Sequence, residues 1–165
     1  MTASASPMLR DDELLIEREF DAPVALVYRL WESRDHMLRW WGPEKFTCID
    51  LDWELTPGAR WRAVMASKEY GRRVSRMGGA VREVERNKRI VFTFAWDADS
   101  GPPMDTVITV TFEEKDGKTI QRFHQVGLPD VATRDNHIGG WNSLLNKQQL
   151  YVENVAIADQ KGLRT

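Results

Sequence analysis

The chain contains one cysteine, Cys48, in 165 residues. A lone thiol excludes an internal disulfide framework and suits a reducing compartment, so cytoplasmic residence is expected. Histidine is nearly as scarce. His36, His124 and His137 are scattered with none of the spacing that brings ligands together on zinc, and no metal site is expected. No apolar run approaches the ~20 residues that cross a bilayer, so no membrane span is expected. Met1 to Met8 lacks the basic start and apolar core of a signal peptide, and residues 1–12 are expected to form a disordered tail. There is no excess of positive charge either. A formal net charge of -2 and a pI near 6.0 argue against a nucleic-acid binder, whose affinity comes largely from neutralised phosphates.

The usual catalytic and cofactor signatures are missing as well. There is no G-x-S-x-G, and Cys48 has no evident histidine partner, so it is expected to be a small buried side chain. Gly78-Gly79 is not followed by the helix that would complete a phosphate cradle. Asp97, Asp99 and Asp105 lack the ligand order of a calcium loop and are expected to be a solvated acidic loop. No cofactor is expected.

What is present is aromatic and periodic. Seven tryptophans, each able to bury about 150–250 Å², imply a large aromatic core or an aromatic-lined pocket. The chain length fits one domain, placed at 13–158 with a tail at 159–165. A long helix is expected from about Asn136 to Ala158, where Ile138, Trp141, Leu145, Val152 and Val155 fall on one stripe that Leu144 and Tyr151 widen. Asp21-Ala22-Pro23 should cap and start an earlier helix bearing Val24, Val27, Tyr28 and Trp31. Ser33 should cap a second short one, ended by Gly42-Pro43. Strands are expected at Leu14–Phe20, Phe46–Glu54, Ala59–Lys68, Arg72–Glu85, Arg89–Trp96, Thr106–Glu114 and Thr119–Gly127. Short turns such as Glu69-Tyr70-Gly71, Arg86-Asn87-Lys88 and Asp116-Gly117 join successive strands into an antiparallel meander.

Alternation along each strand assigns its faces. Trp61, Ala63 and Met65 should face the long helix, together with Ile90, Phe92, Phe94, Trp96, Ile108, Val110 and Phe112. In the last strand Gln121, Phe123 and Gln125 should point inward, and Arg122 and His124 outward. Gly78-Gly79 implies a bulge or the close approach of another backbone. Helical spacing also turns Gln148 inward, and a buried amide without partners costs about 1–3 kcal/mol. Its partners are expected to be Gln121 and Gln125, water, or the polar end of a ligand. The arginines Arg60, Arg62, Arg72, Arg73, Arg76, Arg82 and Arg122 form either a positive patch for an acidic partner or a solvated face paired with Glu83 and Glu85.

An ordered series of motifs carries a resemblance over about residues 13–157. It comprises Phe20-Asp21-Ala22-Pro23, Val27-Tyr28, Trp31, Trp40-Trp41-Gly42-Pro43, Pro57-Gly58 with Arg60-Trp61-Arg62, Gly79 with Glu83, and Gly140-Trp141 before Leu144. The chain resembles the family of activators of the ninety-kilodalton heat-shock protein ATPase, defined by homology to their C-terminal domain. That family sits within the START-like, or polyketide-cyclase-like, helix-grip superfamily. The resemblance implies an α+β fold in which a curved antiparallel sheet of about seven strands grips the C-terminal helix, with two short helices after the first strand. It also implies a cavity between helix and sheet that accepts apolar or amphipathic molecules. The chain departs from the family pattern at Thr56, usually arginine, at Ala59, usually glycine, and at Gln121 and Gln148, usually leucine. The eukaryotic co-chaperones use an additional N-terminal domain to stimulate the ATPase, for which this length leaves no room, so the family name is not itself the expected function.

The function expected is non-catalytic binding of a small hydrophobic or amphipathic, lipid-like molecule. Trp61, Met65, Trp96, Phe112, Phe123, Trp141 and Leu145 would line the cavity, and Gln121, Gln125 and Gln148 would orient the ligand. A chaperone- or stress-linked interaction module using the arginine face is the first alternative. A cyclase- or hydrolase-like enzyme is the second; His124, Glu83 or Asp52 inside the cavity would favour it. Exposed aromatics near Trp40 and Trp41 would favour a homodimer, whereas the resemblance implies that they pack between the short helices and the sheet.

Overall fold

The computed structural model describes residues 9–69 and 73–162. Most of the expected N-terminal tail, the Tyr70-Gly71 turn, Arg72 and the last residues of the C-terminal tail lie outside the described residues. The strands are β1 (Glu13–Phe20), β2 (Thr47–Asp52), β3 (Arg60–Ser67), β4 (Arg73–Glu85), β5 (Arg89–Trp96), β6 (Thr106–Lys115) and β7 (Lys118–Val126). The helices are α1 (Val24–Glu32), α2 (Arg34–Trp40) and α3 (Val131–Gln160).

The seven strands form one antiparallel sheet in the order β1-β7-β6-β5-β4-β3-β2. From β2 to β7 this is the expected meander. The β6–β7 hairpin turns on Asp116 and Gly117, both at positive φ of 53° and 78°, as an Asp-Gly two-residue turn requires. β1 pairs with β7, from Glu13 opposite Val126 to Phe20 opposite Thr119. The segment holding α1 and α2 therefore carries the chain from one edge of the sheet to the other. The result is the expected START-like helix-grip architecture, α+β, with α3 lying along the concave face.

Two boundaries differ from expectation. α3 begins at Val131 rather than Asn136, because the Asp130 carboxylate accepts the Thr133 N–H at 2.7 Å and starts the helix one and a half turns earlier. Pro23 occupies the cap position of α1, which begins at Val24 without a side-chain cap. Ser33 caps α2 as expected, accepting from the His36 N–H at 3.4 Å.

The alternatives left open at Gly78-Gly79 resolve to close approach. A Cβ on Gly79 would lie 2.1 Å from the Thr93 carbonyl oxygen, and one on Gly78 would lie 2.5 Å from that of Trp61. The register shift of this strand lies further on, between Val81 and Glu83.

All seven tryptophans join one aromatic assembly. Trp31 meets Trp40 at 4.8 Å, Trp41 meets Trp61 and Trp141 at 5.7 Å each, Trp53 meets Trp61 at 5.6 Å, and Trp96 joins through Phe94 at 5.3 Å. The interplanar angles of these contacts run from 65° to 88°, which sets the positive edge of one ring on the negative face of the next. Trp40 and Trp41 are both fully buried, which removes the exposed aromatic edge on which a homodimer was to rest.

Candidate functional site

Alternation correctly turns Gln121, Phe123 and Gln125 of β7 toward α3, where they are 1%, 0% and 0% exposed. The inward amides are then absorbed by two hydrogen-bond systems. In the first, the Trp31 indole N–H donates to Gln121 Oε1 at 3.0 Å. The Gln121 amide donates to Gln148 Oε1 at 2.9 Å. Gln148 Nε2, buried, has no acceptor.

The second system centres on Gln125. Its Oε1 accepts from the Trp141 indole N–H at 2.7 Å and from His137 Nδ1 at 3.2 Å. Its Nε2 donates to Thr106 Oγ1 at 3.0 Å, and that hydroxyl donates to the Phe94 carbonyl at 2.7 Å. The Trp96 indole N–H donates to His137 Nε2 at 3.1 Å. Because Gln125 Oε1 can only accept, the proton of His137 sits on Nδ1, leaving Nε2 free to accept from Trp96. Burial pushes the His137 pKa down to about 4, so the ring is neutral near pH 7.

Of these residues, Phe94, Trp96, His137 and Trp141 form one wall of a chamber of about 350 Å³ between the first half of α3 and the inner face of β3–β5. The sheet contributes Met65, Ser75, Met77, Phe94 and Trp96, and α3 contributes Thr133, Asn136, His137, Gly140, Trp141 and Leu144. Trp41, Pro43 and Phe46 close it beyond α2, and Ser100, Gly101 and Pro102 close it from the β5–β6 loop. That loop lies hard on the indole, since a Cβ on Gly101 would meet Trp96 Cγ at 2.6 Å. Gly139-Gly140 is costly in mid-helix, by about 1 kcal/mol per glycine. Gly140 has open space where its Cβ would be and borders the chamber, so a side chain there would occupy it.

Of the residues expected to line the cavity, Met65, Trp96 and Trp141 border the chamber. Gln125 stands behind them and holds Trp141 and His137. Trp61, Phe112, Phe123, Leu145, Gln121 and Gln148 are buried in the packed core and do not border it. His137 and Trp41, which the sequence did not single out as cavity residues, do border it. The i, i+4 spacing of His137 and Trp141 was the available signal for the first.

The side chains that would favour an enzyme lie elsewhere. His124 is on the outer face, its Nε2 2.9 Å from Glu13 Oε1, and this hydrogen bond is the main reason the Glu13 carboxyl sits below its usual pKa. Glu83 is exposed, 3.8 Å from Arg89; Asp52 is exposed at the β2 edge. Cys48 is buried, which pushes its thiol pKa up. Among the described residues, no three His, Cys, Asp or Glu side chains are placed to hold a metal ion, and no helix is long and apolar enough to cross a membrane.

Three arginines of the outer face are matched by acids. Arg62 meets Asp97 at 3.0 Å, Arg76 meets Asp99 at 3.3 Å, and Arg122 lies 3.2 Å from Glu17 and 3.0 Å from Glu113. A groove of about 280 Å³, bordered by Gly78 and Ala95, runs between Arg60, Arg62 and Asp97.

Comparison with known proteins agrees with this architecture. A family model described as Activator of Hsp90 ATPase homolog 1-like protein matches residues 21–153. No curated protein matches the chain. Among solved structures, a protein of Chromobacterium violaceum superposes with a TM-score of 0.79 at 25% identity, covering 87% of this chain and 99% of the other. An AHSA1 protein of Silicibacter pomeroyi gives 0.75 at 25% identity, covering 84% and 95%. A protein of Arthrobacter aurescens, at 19% identity and 93% coverage of both chains, shares the fold with a TM-score of 0.76. By its ordered motifs, its gripped C-terminal helix and a match spanning most of its length, the chain belongs to the Activator of Hsp90 ATPase homolog 1-like family, within the START-like superfamily.

Proposed function

We propose that this protein binds a small apolar or amphipathic molecule, without chemical conversion, in the chamber between α3 and β3–β5. The observation that carries the proposal is the preformed chamber itself. Its volume of about 350 Å³ falls within the roughly 300–1,000 Å³ of small-molecule sites. Its walls are chiefly aromatic side chains and methionine, with a few polar groups. In this proposal Met65, Trp96 and Trp141 touch the ligand. Gln125 fixes Trp141 and His137 from behind, because supporting residues locked by hydrogen bonds keep a binding surface preorganised. Trp61, Phe112, Phe123, Leu145, Gln121 and Gln148 support the chamber through the core. Cytoplasmic residence belongs to the proposal on the ground of the free thiol of Cys48.

Two observations weigh against the alternatives. An acidic partner would have to displace the carboxylates already matched to Arg62, Arg76 and Arg122, which lessens the net attraction of that face. For a cyclase- or hydrolase-like enzyme, His137 is the imidazole bordering the chamber, and its Nε2 lone pair is already engaged by Trp96.

The test uses the neutral fluorophore N-phenyl-1-naphthylamine and two-dimensional NMR of the indole N–H signals. Saturable shifts at Trp96 and Trp141, with Trp53 unmoved, are expected. Gly140→Leu should abolish them by filling the chamber, whereas Gly139→Leu, on the exposed side of the same helix turn, should not. Shifts that survive Gly140→Leu would place the probe elsewhere and refute the proposal.

A further inference from the structure

We infer that the chamber selects a monoanionic ligand, an aromatic or other ring-bearing organic acid whose carboxylate or sulfonate is held at the rim by Arg73. The inference rests on the binding function proposed above and adds the charge of the occupant. Arg73, the first residue of β4, borders the chamber and is exposed to solvent, so a long side chain rooted on the rim can carry its charged head to the opening. Among the described residues it has no carboxylate partner. Its guanidinium donates to the Ser100 carbonyl at 3.3 Å.

Its isolation follows from how the neighbouring loop is used. Of the acids in the β5–β6 loop, Asp97 is matched to Arg62 and Asp99 to Arg76. Ser100 accepts the Arg76 backbone N–H at 2.7 Å and donates to Asp99 at 3.0 Å. The loop thus commits Asp97 and Asp99 to arginines of the outer face, and what it gives Arg73 is the Ser100 carbonyl.

The chamber adds nothing to cancel that charge. Among the described residues no aspartate or glutamate borders it, and Asp130, at the start of α3, is engaged by the Thr133 N–H. His137 is neutral near pH 7. A single uncompensated cation beside low-dielectric aromatic walls focuses a positive potential into the opening. A guanidinium can bind a carboxylate with two parallel hydrogen bonds while the rings lie against indole and phenyl surfaces. Trp41, Phe94, Trp96 and Trp141 supply those surfaces, which suit a planar body better than a flexible chain.

The experiment compares two probes with the same ring systems, anionic 8-anilinonaphthalene-1-sulfonate and neutral N-phenyl-1-naphthylamine, by fluorescence titration of the full chain. The sulfonate should bind at least about tenfold more tightly, as expected for a charge-assisted hydrogen bond. Arg73→Gln should erase that advantage without changing the affinity for the neutral probe, and Arg73→Lys should retain part of it. Gly140→Leu should abolish binding of both. Equal affinities in the unaltered protein, or an equal loss of both probes in Arg73→Gln, would overturn the inference and leave the binding function standing. Sulfonate binding that persists in Gly140→Leu would place the anion outside the chamber and overturn it as well. Failure of both probes to move the Trp141 indole signal would overturn the inference and the binding function together.

Discussion

His137 should make the fold acid-sensitive in a window that its environment defines. The side chain is 9% exposed, gives its Nδ1 proton to Gln125 and receives one from Trp96 at Nε2. Protonation would set a second N–H against the indole N–H in a site where water cannot relieve the clash. Its pKa in the fold is about 4, against an ordinary 6.5. The unfolded chain therefore binds the proton first as pH falls. Stability from this residue is full above about pH 6.5, declines between there and about pH 4, and levels off below that, where both states are protonated. A difference of about 2.5 pH units, at about 1.4 kcal/mol each, amounts to about 3 kcal/mol. The assay is urea unfolding at intervals from pH 7.5 to 3.5, beside a His137→Gln variant. Glutamine can accept from Trp96 and donate to Gln125 without a titrating charge, so subtracting its curve cancels carboxylates such as Glu13 and Asp130, whose lowered pKa values also remove stability in acid. The unaltered protein should lose about 3 kcal/mol more than the variant. Parallel curves would refute the assigned tautomer and its desolvated setting.

The glutamine ladder makes an asymmetric prediction. Gln121→Leu leaves the Trp31 N–H and Gln148 Oε1 without partners and should cost about 2–4 kcal/mol, whereas Gln148→Leu strands one amide while removing an already unpartnered one and should cost about 1 kcal/mol or less. Equal shifts of the urea midpoint would contradict the order of donors. At the crossing of β4 and β5, Gly79→Ala drives a methyl into the Thr93 carbonyl and should destabilise by about 3 kcal/mol; thermal melting unchanged by the substitution would show that the strands can part there.

Much of this fold was legible because a strand with one buried face has a period of two. That period placed Gln121, Phe123 and Gln125 inside and Arg122 and His124 outside, as found. It reports which face a side chain takes but not how far along the face the helix and sheet part company. For that reason periodicity does not separate Phe112, Leu145 and Gln148 from Trp96 and Trp141, although only the latter two border the chamber. The start of α3 is not legible in periodicity because residues 131–136 are largely exposed and show no apolar stripe. Asp130 carried the signal in its capping chemistry instead. The pairing of β1 with β7 had no local sequence signature at all, since it depends on where a distant strand comes to rest.

That pairing sets the order in which a newly made chain can organise itself. β2 through β6 can zip as successive hairpins while they leave the ribosome, each needing only its immediate predecessor. β1 waits, because the residue opposite Glu13 is Val126, synthesised about 5–20 s later at about 5–20 residues per second. Throughout that interval Leu14, Ile16 and Phe20, all buried in the finished fold, have no mate, and α3 has not yet emerged to cover the concave face. The nascent chain is thus exposed to aggregation at its beginning for as long as its end is unmade, and truncation anywhere before β7 leaves that first strand permanently unsatisfied.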